Sequence, residues 1–193
     1  MNKNDMRYIK NDKLIKQTFI RLLRHHSYDK ITLNLLCNEC LISKHAFYSH
    51  FENMDFLLKQ VIHELLEGMV QEYKKQISND YDMEDIQDRI YDYVKANQDV
   101  FHTLFLQDEF IHFSEAIVVY MKKYAIHNDS SSHLSMNEVL SIDYMLYGDV
   151  SILKKWVLNY NCQDLEGVKS LAATLLKNAH LQIQDITHNM TTK

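Results

Sequence analysis

The chain contains no proline and only 3 glycines among its 193 residues. These residues break helices and shape turns, so their scarcity excludes a turn-rich architecture. With 46% hydrophobic residues the sequence reads as nearly all helix. Cysteine is scarce as well, at 3 residues, which excludes a disulfide framework. Cys37 and Cys40 do form a C-x-x-C pair. No second pair and no βαβ pattern lies nearby, so the two thiols read as small core residues rather than metal or redox ligands. No run of about 18 apolar residues occurs, so no membrane span is expected. A Gly-rich phosphate loop, a nucleophile signature and an H-E-x-x-H pair are all missing. The sequence therefore points away from an enzyme, and no cofactor or metal is expected. The N-terminal MNKNDMRYIK carries charge where a signal peptide needs an apolar core, and the expected location is the cytoplasm.

Charge is unevenly spread. The chain carries −5 in all, yet residues 1–51 hold nine Lys and Arg against four acids, a balance of +5 that leaves −10 for the rest. A basic N-terminal unit on an acidic body fits a nucleic-acid-binding head joined to a regulatory domain.

Apolar spacing predicts a first helix over Asn11–His26, with Leu14, Ile15, Phe19, Leu22 and Leu23 as its inner stripe. Asn53 is suited to cap a fourth helix over about 54–76, with Leu58, Ile62, Leu65, Met69 and Tyr73 inward. A polar break at 78–82 precedes helices over Met83–Asn97, Val100–Leu106 and Glu109–Ile126. His127–Ser132 reads as a loop, and Ser135 with Glu138 as a capping box opening a long helix, Met136–Tyr160. Asp164 caps the last helix, which gives way to a polar tail after about Gln184.

Residues Thr32 to Phe51, TLNLLCNECLISKHAFYSHF, are the most informative stretch. Thr32 caps a short helix with Leu33, Leu36, Cys37 and Cys40 on its inner side. The run breaks at Leu41-Ile42. Ser43 then caps a second short helix, Lys44–His50, with Phe47 and Phe51 stacked four apart. The outer face carries Ser43, Lys44, His45, Tyr48 and Ser49. Two short helices joined by a tight turn make a helix-turn-helix able to set a recognition helix in a DNA major groove.

This stretch resembles the TetR family of bacterial transcriptional regulators. The likeness runs from Ile31-Thr32 through Leu36-Cys37 and Cys40-Leu41-Ile42-Ser43 to Phe47-Tyr48-Ser49-His50-Phe51 and Met54-Asp55-Phe56-Leu57. Leu41 stands where the family has its turn glycine, and Met54 where a lysine usually opens the fourth helix. The resemblance implies an all-α protein. A three-helix DNA-binding head (8–55) is followed by a helical-bundle domain for ligand binding and dimerisation (56–185) and by a tail (186–193). The fourth helix is then the covalent link between head and body. It implies phosphate contacts from Thr32, Ser43, Tyr48 and His50. Lys44, His45, Ala46 and Ser49 are then nearer the base edges, where Lys44 suits a guanine and Ala46 a thymine methyl.

A weaker likeness links Tyr147-Gly148-Asp149-Val150, Lys155-Trp156-Val157 and Asp164-Leu165 to a TetR subgroup that includes dihydroxyacetone kinase regulators. It implies a homodimer through the last two helices. Candidate effector contacts in the body are Tyr91, Phe101, Phe105, Phe113, Tyr120, Asp143, Tyr144 and Tyr147, with Tyr93 and Met121 beside them. For any one of these aromatics ordinary core packing is the favoured reading, and Asp143 is equally an ordinary surface acid. The Met- and aromatic-rich composition suggests an apolar or aromatic effector. The expected function is a ligand-responsive repressor binding a near-palindromic double-stranded DNA operator. A co-activator working through a protein partner is the alternative.

Overall fold

Side-chain caps and apolar stripes set the helices along the chain. A computed structural model describes residues 6–74, 83–127 and 135–191, with side chains described for 6–71, 87–123 and 135–178. Every element among these residues is helical: α1 (Met6–Leu23), a 3-10 turn η1 (Tyr28–Lys30), α2 (Leu33–Cys40), α3 (Lys44–Tyr48), α4 (Met54–Lys74), α5 (Met83–Ala96), α6 (Gln98–Leu106), α7 (Asp108–Ile111), α8 (Phe113–His127), α9 (Met136–Asn159) and α10 (Leu165–Thr191). The architecture is all-α. The polar stretches expected as breaks at 78–82 and 128–132 lie outside the described residues.

Several boundaries differ from the sequence reading. α1 begins five residues early, at Met6, and ends at Leu23 rather than His26. Leu14 faces solvent while Ile15, Thr18, Phe19, Leu22 and Leu23 are buried. α3 stops at Tyr48, so Ser49 and His50 form the turn after it. The helix expected over Glu109–Ile126 is split in two at His112, whose φ of 51° breaks the helical path without any glycine to announce it. α10 continues to Thr191, past the expected tail at 186, because nothing after Gly167 breaks a helix.

The chain divides into two compact units: Met1–Gly68 with Thr103–Phe113, and Met69–His102 with Ser114–Lys193. Linear order assigned residues 103–113 to the body, but their contacts place them in the first unit. The chain therefore passes between the units three times, inside α4, inside α6 and at the start of α8, and α4 is not the sole covalent link.

In the first unit Ile15, Phe19, Leu36, Phe47, Phe51 and Leu57 are almost fully buried, joined by Leu104, Phe105 and Phe113 from the returning segment. Gln107, in that segment, is buried against the end of α1. Its amide nitrogen donates to the carbonyls of Leu23 (3.0 Å) and His26 (3.2 Å), and its oxygen accepts from the Tyr28 N–H at 3.0 Å. The last carbonyls of a helix have no partner within it, and this side chain supplies one. The Tyr28 hydroxyl donates to Asp55 at the start of α4, and burial with that partner pushes its pKa upward.

In the second unit α5, α9 and α10 pack together around Ile90, Tyr91, Val94, Leu153, Trp156 and Val157. The Ser135–Glu138 capping box is formed at the start of α9. The turn into α10 uses positive φ at Asn161, Cys162 and Asp164, and the Trp156 indole N–H ties it down by donating to the Gln163 carbonyl at 2.6 Å. The Asp164 carboxylate accepts from the Gly167 N–H at 3.2 Å, and a Cβ at Gly167 would overlap that carboxylate.

Gln107→Leu removes a buried amide and leaves two carbonyls and one N–H without their partner, a cost of about 1–3 kcal/mol. Urea denaturation should show a lower midpoint for this variant. Gln107→Glu should lower it further, since a carboxylate faces the same two carbonyls. An unchanged midpoint in both would show that the clamp carries no stability.

Candidate nucleic-acid interface

The helix-turn-helix is built from local caps on a buried aromatic floor. Thr32 Oγ1 accepts from the Leu35 N–H at 3.2 Å and Ser43 Oγ from the Ala46 N–H at 3.1 Å, opening α2 and α3. Each hydroxyl keeps its own proton for donation outward. Asn53 Oδ1 caps α4 through the Phe56 N–H at 2.7 Å. Under α3, Phe47 is fully buried and sits 5.7 Å from Phe51, which fixes which face of this short helix looks out.

That outward face carries Lys44 and His45, both exposed, Tyr48 at 57% exposure and Ser49. Ala46 is half-buried. The Ser49 hydroxyl already donates to the Ala46 carbonyl at 2.6 Å, so toward an outside partner it can act as an acceptor. The structure thus brings Thr32, Ser43, Lys44, His45, Tyr48 and Ser49 to the surface of one small unit.

His50 is placed differently. Its side chain is 1% exposed, stacked 4.0 Å from the Tyr8 ring, with Nδ1 3.8 Å from Asp12 Oδ1. Neither ring nitrogen has a hydrogen-bond partner in the structure. A phosphate contact from His50 requires this cover to open. Burial lowers its pKa from 6.5, opposed by the Asp12 carboxylate and assisted by the Lys16 ammonium. Tyr8, Asp12 and Lys16 on α1 complete this environment. No local pattern points to them, because the contact joins residues about 40 apart.

The turn holds a second departure. Leu41 takes the left-handed conformation (φ 54°, ψ 40°) that the family's glycine would take. The turn closes all the same, by Leu41 N–H to the Asn38 carbonyl (3.1 Å) and Ile42 N–H to the Cys37 carbonyl (3.0 Å). A leucine there costs about 1–2 kcal/mol relative to glycine. Cys37 and Cys40 are buried free thiols whose pKa values burial pushes up, which makes them poor nucleophiles and poor ligands.

The effector candidates do not gather in one place. Phe105 and Phe113 pack against each other at 5.0 Å in the first unit. In the second, Tyr91 and Phe101 are fully buried, and Tyr93 meets Phe101 edge-on at 6.3 Å. Tyr120 and Met121 are half-buried. Asp143 pairs with Lys122 at 2.6 Å, Tyr144 is exposed, and the Tyr147 hydroxyl donates to Glu115 at 2.6 Å. The acid set among core groups is Asp149, which accepts from the Tyr91 hydroxyl and the Gln87 amide, each at 3.1 Å. Burial raises its pKa, and those two donors partly offset the rise. A groove of about 380 Å³ in this unit is polar, lined by Asp88, Glu166, Lys169, Ser170, Ala173, Thr174, Lys177 and Asn178.

With this geometry the fold is that of the TetR-family transcriptional regulators. A TetR transcriptional regulator from Streptococcus agalactiae is 22% identical, with 89% of this chain and 96% of that chain covered at a TM-score of 0.68. The dihydroxyacetone kinase operon activator DhaS is 17% identical over 91% and 97% of the two chains, at 0.55. A TetR-family regulator from Streptomyces coelicolor is 10% identical over 92% and 89%, at 0.58. No profile of a known protein family and no curated protein matches the sequence.

His50 is buried neutral, so the folded state resists a proton that the unfolded chain accepts below pH 6.5. Its contribution to stability is complete above that pH and is lost as the pH falls toward its lowered folded value. Thermal melts at pH 7.5 and 5.5 should show a larger fall for the wild type than for His50→Phe, which keeps a ring on Tyr8 but cannot be protonated. Equal falls would show that His50 does not titrate with unfolding.

Proposed function

We propose that this protein is a sequence-specific DNA-binding transcriptional regulator that acts as a homodimer and responds to a small-molecule ligand. The observation that carries the reading is the outward face of α3. Lys44, His45, Tyr48 and Ser49 stand exposed on a helix whose other side is anchored by Phe47, within a TetR-like fold. Thr32, Ser43 and Tyr48 serve phosphates, which fix register. Lys44, His45, Ala46 and Ser49 serve base edges, which carry sequence. His50 takes part only through the packing beneath that face. The proposed mode is repression from a near-palindromic operator read by the two copies of α3. Among the described residues no helix is long and apolar enough to cross a membrane.

The homodimer reading rests on α9 and α10. Met136, Leu140, Tyr144 and Tyr147 recur at helical spacing on α9 and are all exposed, as are Leu171 and Leu175 on α10. Large apolar side chains in such rows are the mark of a surface covered by a partner. The co-activator reading keeps one specific support, the similarity to a protein named as an operon activator.

Tyr48→Phe should weaken binding to selected and random duplex by the same factor, since a phosphate contact is independent of sequence. Lys44→Ala should reduce the preference between them. Gel-shift titrations at fixed salt read both; a Tyr48→Phe effect confined to the selected duplex would reverse the assignment.

Leu175→Glu should give monomers in sedimentation at micromolar concentration where the wild type is a dimer. A monomeric wild type under the same conditions refutes the dimer.

A further inference from the structure

We propose that Leu41 is a specificity-determining residue whose side chain meets a thymine C5-methyl in the major groove, beside the N-terminal end of α3. This rests on the DNA-binding reading above. The observation is a pair of costs with no return inside the chain. Leu41 sits in the left-handed region (φ 54°, ψ 40°), which glycine takes freely and leucine resists. Its side chain is also 93% exposed, so it packs on almost nothing. The turn does not need that side chain. Its two closing hydrogen bonds, from the N–H groups of Leu41 and Ile42, are backbone bonds that glycine would make equally well. A strained residue without a packing role is where strain points to function.

Position says what the leucine meets. Leu41 lies two residues before the capping Ser43 and three before Lys44, at the end of α3 that leads into the groove in helix-turn-helix docking. The surroundings favour DNA over a protein partner. Between residues 31 and 51 the large exposed apolar side chains are Leu41 and Tyr48, and the neighbours Ser43, Lys44 and His45 are polar. A protein interface needs clustered apolar area. One aliphatic group among hydrogen-bond donors fits one methyl group on a base edge.

The test is selection from a randomised duplex library with the wild type, Leu41→Gly and Leu41→Asn; asparagine tolerates the same backbone conformation. Thermal melts should show Leu41→Gly at least as stable as the wild type. The wild type should select a thymine at a fixed place in each half-site. Both variants should select the same site with that preference lost. Replacing that thymine by deoxyuridine deletes only the methyl. It should weaken the wild type roughly fourfold, the worth of one buried methyl, and leave Leu41→Gly unchanged. Identical selected sites and equal affinities for all three proteins overturn the contact while DNA binding stands, and direct the leucine to a protein partner. A folded wild type that binds no duplex and selects no sequence sinks the DNA-binding reading and the contact with it.

Discussion

The amide of Gln107 closes three hydrogen bonds that the helices around it cannot close for themselves. The Leu23 carbonyl at the end of α1 and the Tyr28 N–H at the start of η1 both find their partner in this amide. The connection between them is only four residues long. A side chain some 80 positions away satisfies both ends at once, and buried polar groups left unpaired here would cost more than the clamp gains. The end of α1 and the run into α2 are thereby held in one arrangement, and α2 and α3 follow from it. The first unit is therefore not a simple N-terminal domain. It needs residues 103–113 to finish its own hydrogen bonding and its own core.

What the sequence disclosed is what local chemistry decides. The caps at Thr32, Ser43, Asn53 and Ser135 were readable because a hydroxyl or amide oxygen reaches N–H groups three residues on, whatever surrounds it. The pairing of Phe47 with Phe51 was readable for the same reason. The break at His112 was not, since a non-glycine residue at positive φ leaves no mark in composition. The break between Tyr160 and Asp164 was readable, but not the positive φ of Cys162 within it. The burial of His50 under Tyr8, and the return of Gln107 to the end of α1, depend on contacts across tens of residues. Helical periodicity shows that a face is buried, but not against what.

The charge count in the sequence also needs its geometry. Lys16 is held by Asp12 and Glu64 at 2.5 and 2.6 Å, Arg21 by Glu39 at 2.9 Å, and Lys30 by Asp29 at 3.0 Å. Burial lowers the Lys16 pKa, but the two carboxylates outweigh it and raise the net value. Such pairs add little stability at an exposed site. Their larger effect is to spend cations that the residue count credits to the head. Lys44 stands on the α3 face with no ion-pair partner among the described residues. Non-specific affinity for DNA scales with the phosphates neutralised. Three of the nine cations in residues 1–51 are held in this way, so the residue count overstates the charge that the first unit has free.

The passage of the chain between its units bears on how a ligand signal would travel. A ligand shifts an equilibrium only by binding one state better than the other, and the difference must be carried by elements that exist in two arrangements. Read along the sequence, α4 was the sole covalent route. The three crossings at 68/69, 102/103 and 113/114 add α6 and the start of α8. Sharp helix kinks need proline, glycine or a disrupted hydrogen-bond ladder. The chain has no proline, and one of its three glycines, Gly68, falls at the α4 crossing. Glycine lowers helix propensity at that crossing, while the crossing at 113/114 adjoins the break in the helical path at His112. The α6 crossing has no such residue, and α6 ends one residue before Gln107. The amide that holds the end of α1 therefore belongs to the residue that directly follows α6.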